Sequence, residues 1–322
     1  TWSRSTTGAD RDEGRERVYR LWADWKLGEG GSSLRVGRQS SPELAHLSIF
    51  DGAALAWRSP RWSAGLMGGS QPDPGDFGLS SDVVEAGAFV QRRQREGPRR
   101  WDLTLAGIAS YQEGEIDREY LYLQGRWSRR RLWVFASQEV DVNRGWKRDA
   151  GADALSPTST YLHARYEVDP RLAVRAGLDR RERVRLWRDR ETPATDFEDR
   201  LRRGYWVGVE GRPSRPWRLG LDLRRSDGGG AGTADAVALR TSFVDPAVLP
   251  VDVSARITLY GNDRFDGWMG VLALGWDAHE NLRLGLDGGL RRESYDGFVQ
   301  EDTNAGWLSL DADLYLRGGW YL

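Results

Sequence analysis

The sequence predicts an all-β fold: a transmembrane, antiparallel, up-and-down β-barrel. Three observations predict it. Apolar side chains recur at every second position in about seventeen segments of roughly nine to eleven residues. Short tight connections and long polar ones take turns between those segments. Tryptophans gather at the segment ends beside the short connections. From Trp217 to Leu223, for example, Trp217, Leu219, Leu221 and Leu223 point one way, and Arg218, Gly220 and Asp222 the other. A greasy face on nearly every strand opposite a charged face is what lipid outside and water inside require.

Composition does not oppose this. The 322 residues have mean hydropathy −0.63 and are 30% charged. No run approaches the ~18 apolar residues of a membrane helix, but barrel strands need only alternate apolar positions. The length suits one domain, 1–322, and with no signal peptide visible at Thr1 the chain is read as a mature form or an excised part of a longer chain. A net charge of −1 gives no electrostatic reason to capture nucleic acid. With no cysteine, disulfide frameworks, thiolate metal sites and cysteine nucleophiles are excluded.

The elements follow as hairpins. Down-running strands 17–27, 50–58, 83–93, 119–127, 159–168, 204–212, 236–244 and 268–277 are answered by up-running strands 33–39, 62–69, 101–111, 132–141, 172–180, 217–225, 251–260 and 282–292. A further down strand, 305–316, precedes an up strand opening at Trp320, so about 18 strands are visible. Short turns close the hairpins, among them Gly28–Ser32, Ser59–Arg61, Gln94–Arg100, Asp169–Arg171 and Pro213–Pro216. The connections after up strands are mostly longer: Ser40–Ile49, Ser70–Asp82, Gln112–Arg118, Val142–Thr158, Arg181–Arg203, Ser226–Asp235, Gly261–Gly267 and Glu293–Asn304. All 12 prolines are expected in connections, where a missing N–H breaks no ladder. Short turns are assigned to the periplasm and long loops to the exterior. The first strand then runs downward, residues 1–16 form an outer loop, and the chain stops as an up strand begins. At least one strand is expected to be missing at each end, for a total of about eighteen to twenty or more.

Trp25, Trp57, Trp62, Trp101, Trp127, Trp217 and Trp276 lie near short turns in the apolar phase and form the expected periplasmic aromatic girdle. Trp320 belongs with them by position, and Trp133 has the opposite phase. Tyr19, Tyr111 and Trp268 are candidates for an outer girdle. Several up strands open on Arg-x-Gly-x-Asp: Arg175-Gly177-Asp179, Arg218-Gly220-Asp222 and Arg283-Gly285-Asp287. All three residue types take the inward phase, so an Arg and an Asp on neighbouring strands are expected to pair, with glycine leaving room.

The inward phase supplies the candidate pore lining: Arg20, Asp24, Arg35, Arg58, Glu85, Asp102, Arg126, Arg165, Arg175, Asp179, Arg218, Asp222, Arg256, Arg283, Asp287 and Asp311. The two signs nearly balance, which predicts a hydrated pathway with weak selectivity. Catalysis finds no support. His46, His163 and His279 fall at different levels, and no Ser–His arrangement is recognisable. Asp73, Asp76 and Asp82, and the loop from Asp189 to Asp199, lack EF-hand spacing. No metal or cofactor is expected, and the chain is not read as an enzyme.

Leu34-Arg35-Val36-Gly37-Arg38-Gln39, followed by Phe50-Asp51-Gly52-Ala53-Ala54-Leu55, resembles a hairpin of alginate-export-type porins of bacterial outer membranes. The resemblance covers about twenty-two residues. It implies passive export or uptake through a barrel of this size, of a sugar polymer or a small solute. The leading functional expectation is a porin-like channel in the bacterial outer membrane, with lipid outside and small hydrophilic solutes inside. One alternative is a barrel that sheathes or anchors a periplasmic or electron-transfer partner. Another is a soluble all-β binding protein.

Overall fold

The structure is a computed structural model and describes residues 2–5, 15–28, 30–41, 49–191, 201–228, 232–244, 250–295, 302–316 and 320–321. Almost all of it is antiparallel strand. A short pair, β1 (Trp2–Ser5) and β2 (Arg15–Val18), precedes the long elements. These are β3 (Leu21–Leu27), β4 (Ser32–Gln39), β5 (Phe50–Arg58), β6 (Trp62–Ser70), β7 (Val83–Gln94), β8 (Arg99–Gln112), β9 (Glu115–Arg129), β10 (Leu132–Val142), β11 (Leu155–Asp169) and β12 (Leu172–Arg181). They continue as β13 (Arg202–Gly211), β14 (Trp217–Asp227), β15 (Ala234–Val244), β16 (Val251–Asn262), β17 (Phe265–His279), β18 (Leu282–Tyr295), β19 (Thr303–Leu316) and β20 (Trp320–Tyr321). A four-residue helix, α1 (Trp146–Asp149), lies between β10 and β11. No helix among the described residues is long and apolar enough to cross a membrane.

The chain falls into two compact units. Unit 1 holds residues 1–130, 134–161 and 181–198; unit 2 holds 131–133, 162–180 and 199–322. Within each, successive strands pair antiparallel as a meander. In unit 1, β8 shows why. Leu103 and Leu105 are 48% and 49% exposed, whereas the alternating Thr104, Ala106 and Ile108 are 1%, 3% and 5% exposed. In unit 2 the register aligns whole rows. Val209 faces Leu221, Leu221 faces Leu239, and Leu239 faces Ile257, all four well exposed. Exposed Leu and Val in continuous cross-strand rows make an apolar belt far larger than a water-soluble surface carries.

Several expectations are corrected. The segment 17–27 is not one strand: β2 turns back to pair with β1, and β3 begins at Leu21. Arg20 therefore sits between strands, exposed, and not in the wall. Gln112–Arg118 is no long loop. Glu113 and Gly114, with φ of 56° and 84°, close β8 to β9 in a two-residue turn. Gly261–Gly267 likewise shrinks to Asp263 and Arg264, with the Asn262 side chain accepting the Arg264 N–H at 2.8 Å. Pro157 lies inside β11, exposed and two residues from its start. The connections 42–48, 192–200, 229–231, 245–249, 296–301 and 317–319, the side chain of Trp320, and His46 lie outside the described residues or side chains.

Candidate pore-lining face

Opposite the belt lies the inner face, and in unit 2 it is charged. Four of its ion pairs reach over a strand. Arg175 on β12 donates to Asp222 on β14 at 2.7 and 3.0 Å, reaching across β13 at Gly208. A Cβ at Gly208 would collide with the Asp222 carboxylate and crowd Arg175 Nε. Arg283 on β18 reaches Asp252 on β16 across Gly275 of β17 in the same way. Arg224 on β14 approaches Asp179 on β12 at 3.7 Å, with Gly204 of β13 between them. Arg165 on β11 and Glu210 on β13 also bridge over a strand, at 3.7 Å. The expected pairing between neighbouring strands holds for Arg240 with Asp222 at 2.6 Å and for Arg283 with Asp277 at 3.1 Å, but not for these four. In the first three the guanidinium passes a glycine and meets a carboxylate two strands away. Neighbour pairs do occur in unit 1, where Arg35 holds Asp24 at 2.8 Å and Arg126 stands 3.8 Å from Asp102.

One register row explains where positive charge collects. Glu210, Gly220, Arg240, Arg256, Val271, Gly289 and Trp307 are successive Cα partners on β13 to β19. Arg218, Ser242 and Ser254 form the adjoining row. A cavity of about 340 Å³ opens there, lined by Arg218, Arg240, Arg256, Ser242, Ser254 and Glu210. Arg218 has no hydrogen-bond or ion-pair partner among the described residues. Arg240 gives one edge to Asp222 at 2.6 Å, but its Nε is buried without a partner. Arg256 donates only to the Thr258 hydroxyl, at 3.1 Å. Three guanidiniums therefore share this space with one carboxylate, Glu210, itself near Arg165. Arg240 is the residue that sequence reasoning missed; it lay in the polar phase of the strand 236–244.

The inner face of unit 1 is different. Phe50, Met67, Ala106, Ile108, Tyr120 and Tyr122 form a buried cluster, with Ala54 and Phe89 packed against it. Glycines admit the rings: a Cβ at Gly65 would strike the Phe89 ring, and one at Gly87 the Met67 methyl. The expectation of a uniformly charged, hydrated inner face is thus corrected here. Polar groups in this region are satisfied locally. Gln91 donates to Thr104 at 2.9 Å, Tyr122 to Gln124 at 2.6 Å, and Gln71 to Glu85 at 2.8 Å. Arg58 donates to Ser33 at 3.1 Å.

The remaining predicted residues sort as follows. Asp287 shares the inner phase of Arg283, and Asp311 pairs in register with Gly285. Trp25, Trp57, Trp62, Trp217 and Trp276 are 41–49% exposed. Trp101 faces Trp127 across β8 and β9, and Arg92 stands over the rings of both Trp62 and Trp101. Trp133 needs no bulge. It points inward, edge-on to His163 at 5.4 Å, and His163 in turn stacks on Trp206 at 6.1 Å. Asp73 and Asp76 accept backbone N–H groups of their own turn at 2.7–3.2 Å. The hairpin of the alginate-export resemblance is a rim clamp in which Arg38 grips Asp51 at 2.6 and 2.7 Å. Arg38 also donates to the Phe77 and Gly78 carbonyls, and Gln39 to that of Gly52.

No sequence-family model matches the chain, and no curated protein sequence matches it. Solved structures do. OccK10 (OpdN) of Pseudomonas aeruginosa matches over 97% of this chain and 95% of its own, at 13% identity and TM-score 0.53. OpdL of the same organism matches over 74% and 83%, at 12% identity and TM-score 0.39. An anion-selective porin from Comamonas acidovorans matches over 78% and 89%, at 10% identity and TM-score 0.37. The fold shared with OccK10 is all-β, an up-and-down β-barrel with 17 long strands among the described residues.

Proposed function

We propose that this protein is an outer-membrane channel through which small hydrophilic solutes diffuse passively, and that it favours anions modestly. The observation that carries the reading is the cavity of Arg218, Arg240 and Arg256 on the face opposite a continuous apolar belt. Lipid contact accounts for the belt, and a water-filled path accounts for Arg218 and Arg256, which are left without carboxylates. The other charged groups of this face are largely paired, which supports weak average selectivity. The resemblance of the β4–β5 hairpin extends the solute class to acidic sugars, and the arginine row supports that extension. The reading is of a channel and not of an enzyme, with the chain forming one barrel domain. Liposomes carrying the full-length protein should swell in small sugars and in small carboxylates, faster in the carboxylates. Equal impermeability to both would end the channel reading.

A further inference from the structure

Away from the strands, two connections of unit 1 fold against each other. Residues 143–154 follow β10, and residues 182–191 follow β12. Their packing is specific. Trp146 Nε1 donates to the Ile116 carbonyl at 2.7 Å, and its ring meets Trp187 edge-on at 5.5 Å. The Trp187 backbone N–H donates to Asp117 at 3.0 Å, and its indole N–H donates to Glu113 at 3.0 Å. Arg144 grips both oxygens of Glu119. Two indoles and two ion-paired strand ends thus hold these loops in one arrangement.

Between them lies a cavity of about 210 Å³ lined by Asp141, Lys147, Thr158, Glu182, Arg183 and Arg185, among others, so cations and carboxylates both face it. Lys147 is 4% exposed. Its ammonium lies 5.7 Å from the Trp146 ring, and among the described residues it makes no hydrogen bond and no ion pair. Asp141 does not answer it. Arg118 holds both Asp141 oxygens at 2.7–3.2 Å, and Thr158 donates to one of them at 2.7 Å. Arg185 spends its donors on the Asp189 and Arg190 carbonyls. Burial pushes the Lys147 ammonium below the usual lysine range, against the pull of Asp141 and Asp117. A buried cation without a direct ion-pair partner is costly, and proteins pair such charges. The residue type is also unusual here. Of 47 basic residues, only Lys26 and Lys147 are lysines. Lysine places a compact point charge where arginine would place a planar fork.

We propose that this cavity binds a small oxyanion, a carboxylate or a phosphate group, with Lys147 as its counter-charge. The volume decides the size class. Sites for larger ligands span about 300–1,000 Å³, so this one takes the ionised group and a short stem, not a polymer. The site belongs to the loops and stands whether or not the barrel conducts. Full-length protein in detergent, labelled with 13Cε,15Nζ-lysine, gives a Lys147 signal assigned by its loss in K147M. Sodium acetate and sodium phosphate are titrated separately at constant ionic strength, with sodium chloride as the balancing salt. The Lys147 signal should move saturably in the millimolar range with acetate, phosphate or both, while Lys26 stays in place. Response to one anion only fixes the class. K147Q should weaken calorimetric binding of that anion at least tenfold. A Lys147 signal that stays put, or drifts equally with chloride, would overturn the proposal. The wild-type titration decides the matter even if K147Q fails to fold.

Discussion

The inner faces of the two units solve different problems. In unit 1, Phe50, Met67, Ile108, Tyr120 and Tyr122 turn inward and are buried against one another, with glycines accepting rings. In unit 2 the same strand phase carries Arg175, Asp222, Arg240, Asp252 and Arg283, with glycines letting guanidiniums cross a strand. Glycine serves both, because removing a Cβ makes room for a ring or for a fork. What differs is what fills the space. A packed ring gains its stability from burial. A guanidinium with no carboxylate adds little stability and is available to a solute.

That contrast can be broken by substitution. The largest effect should come from unit 1, where Tyr122→Ala empties a buried ring site and should cost about 3–5 kcal/mol. Arg218→Gln in unit 2 should stay within about 0.5 kcal/mol. Urea unfolding in lipid vesicles measures both; equal losses would erase the distinction. Next, Leu221→Arg places a charge on the belt and should cost about 2–4 kcal/mol near the bilayer midplane. A neutral result would turn that row inward. A smaller cost, about 1–3 kcal/mol, is expected for Gly208→Val, whose Cβ must displace Asp222 and Arg175. Gly211→Ala makes the matched control. A Cβ there meets nothing within 4 Å, and stability should hold. Similar losses for the two would refute the strand-crossing bridges.

Much of the belt was legible in the sequence, and the reason is the period of two. Leu219, Leu221 and Ile257 alternate with charged residues, and a one-residue slip would invert every side chain. The inner face of unit 1 was not legible. Between Ala53 and Ala56, or Leu105 and Ile108, both phases are apolar or small, so alternation names no inside. Glu113–Gly114 passed for part of a loop because only the paired positive φ values identify that turn. Most charged residues of unit 2 were found, Arg240 excepted, but not their partners. Arg175 meets Asp222 over Gly208, and that choice depends on how far a long side chain leans along the sheet, which spacing does not encode. Lys147 was invisible for a related reason, since its burial comes from two loops distant in sequence.

The most direct test of the account is the reversal potential of single channels of the full-length protein under a salt gradient. Wild type should give stable ohmic steps with a modest anion preference. The triple variant R218Q/R240Q/R256Q should fold, conduct and shift toward cations, because the positive charge lining the cavity is gone. An unchanged reversal potential would remove that row from the ion path, and a barrel that inserts without conducting would contradict the channel reading itself.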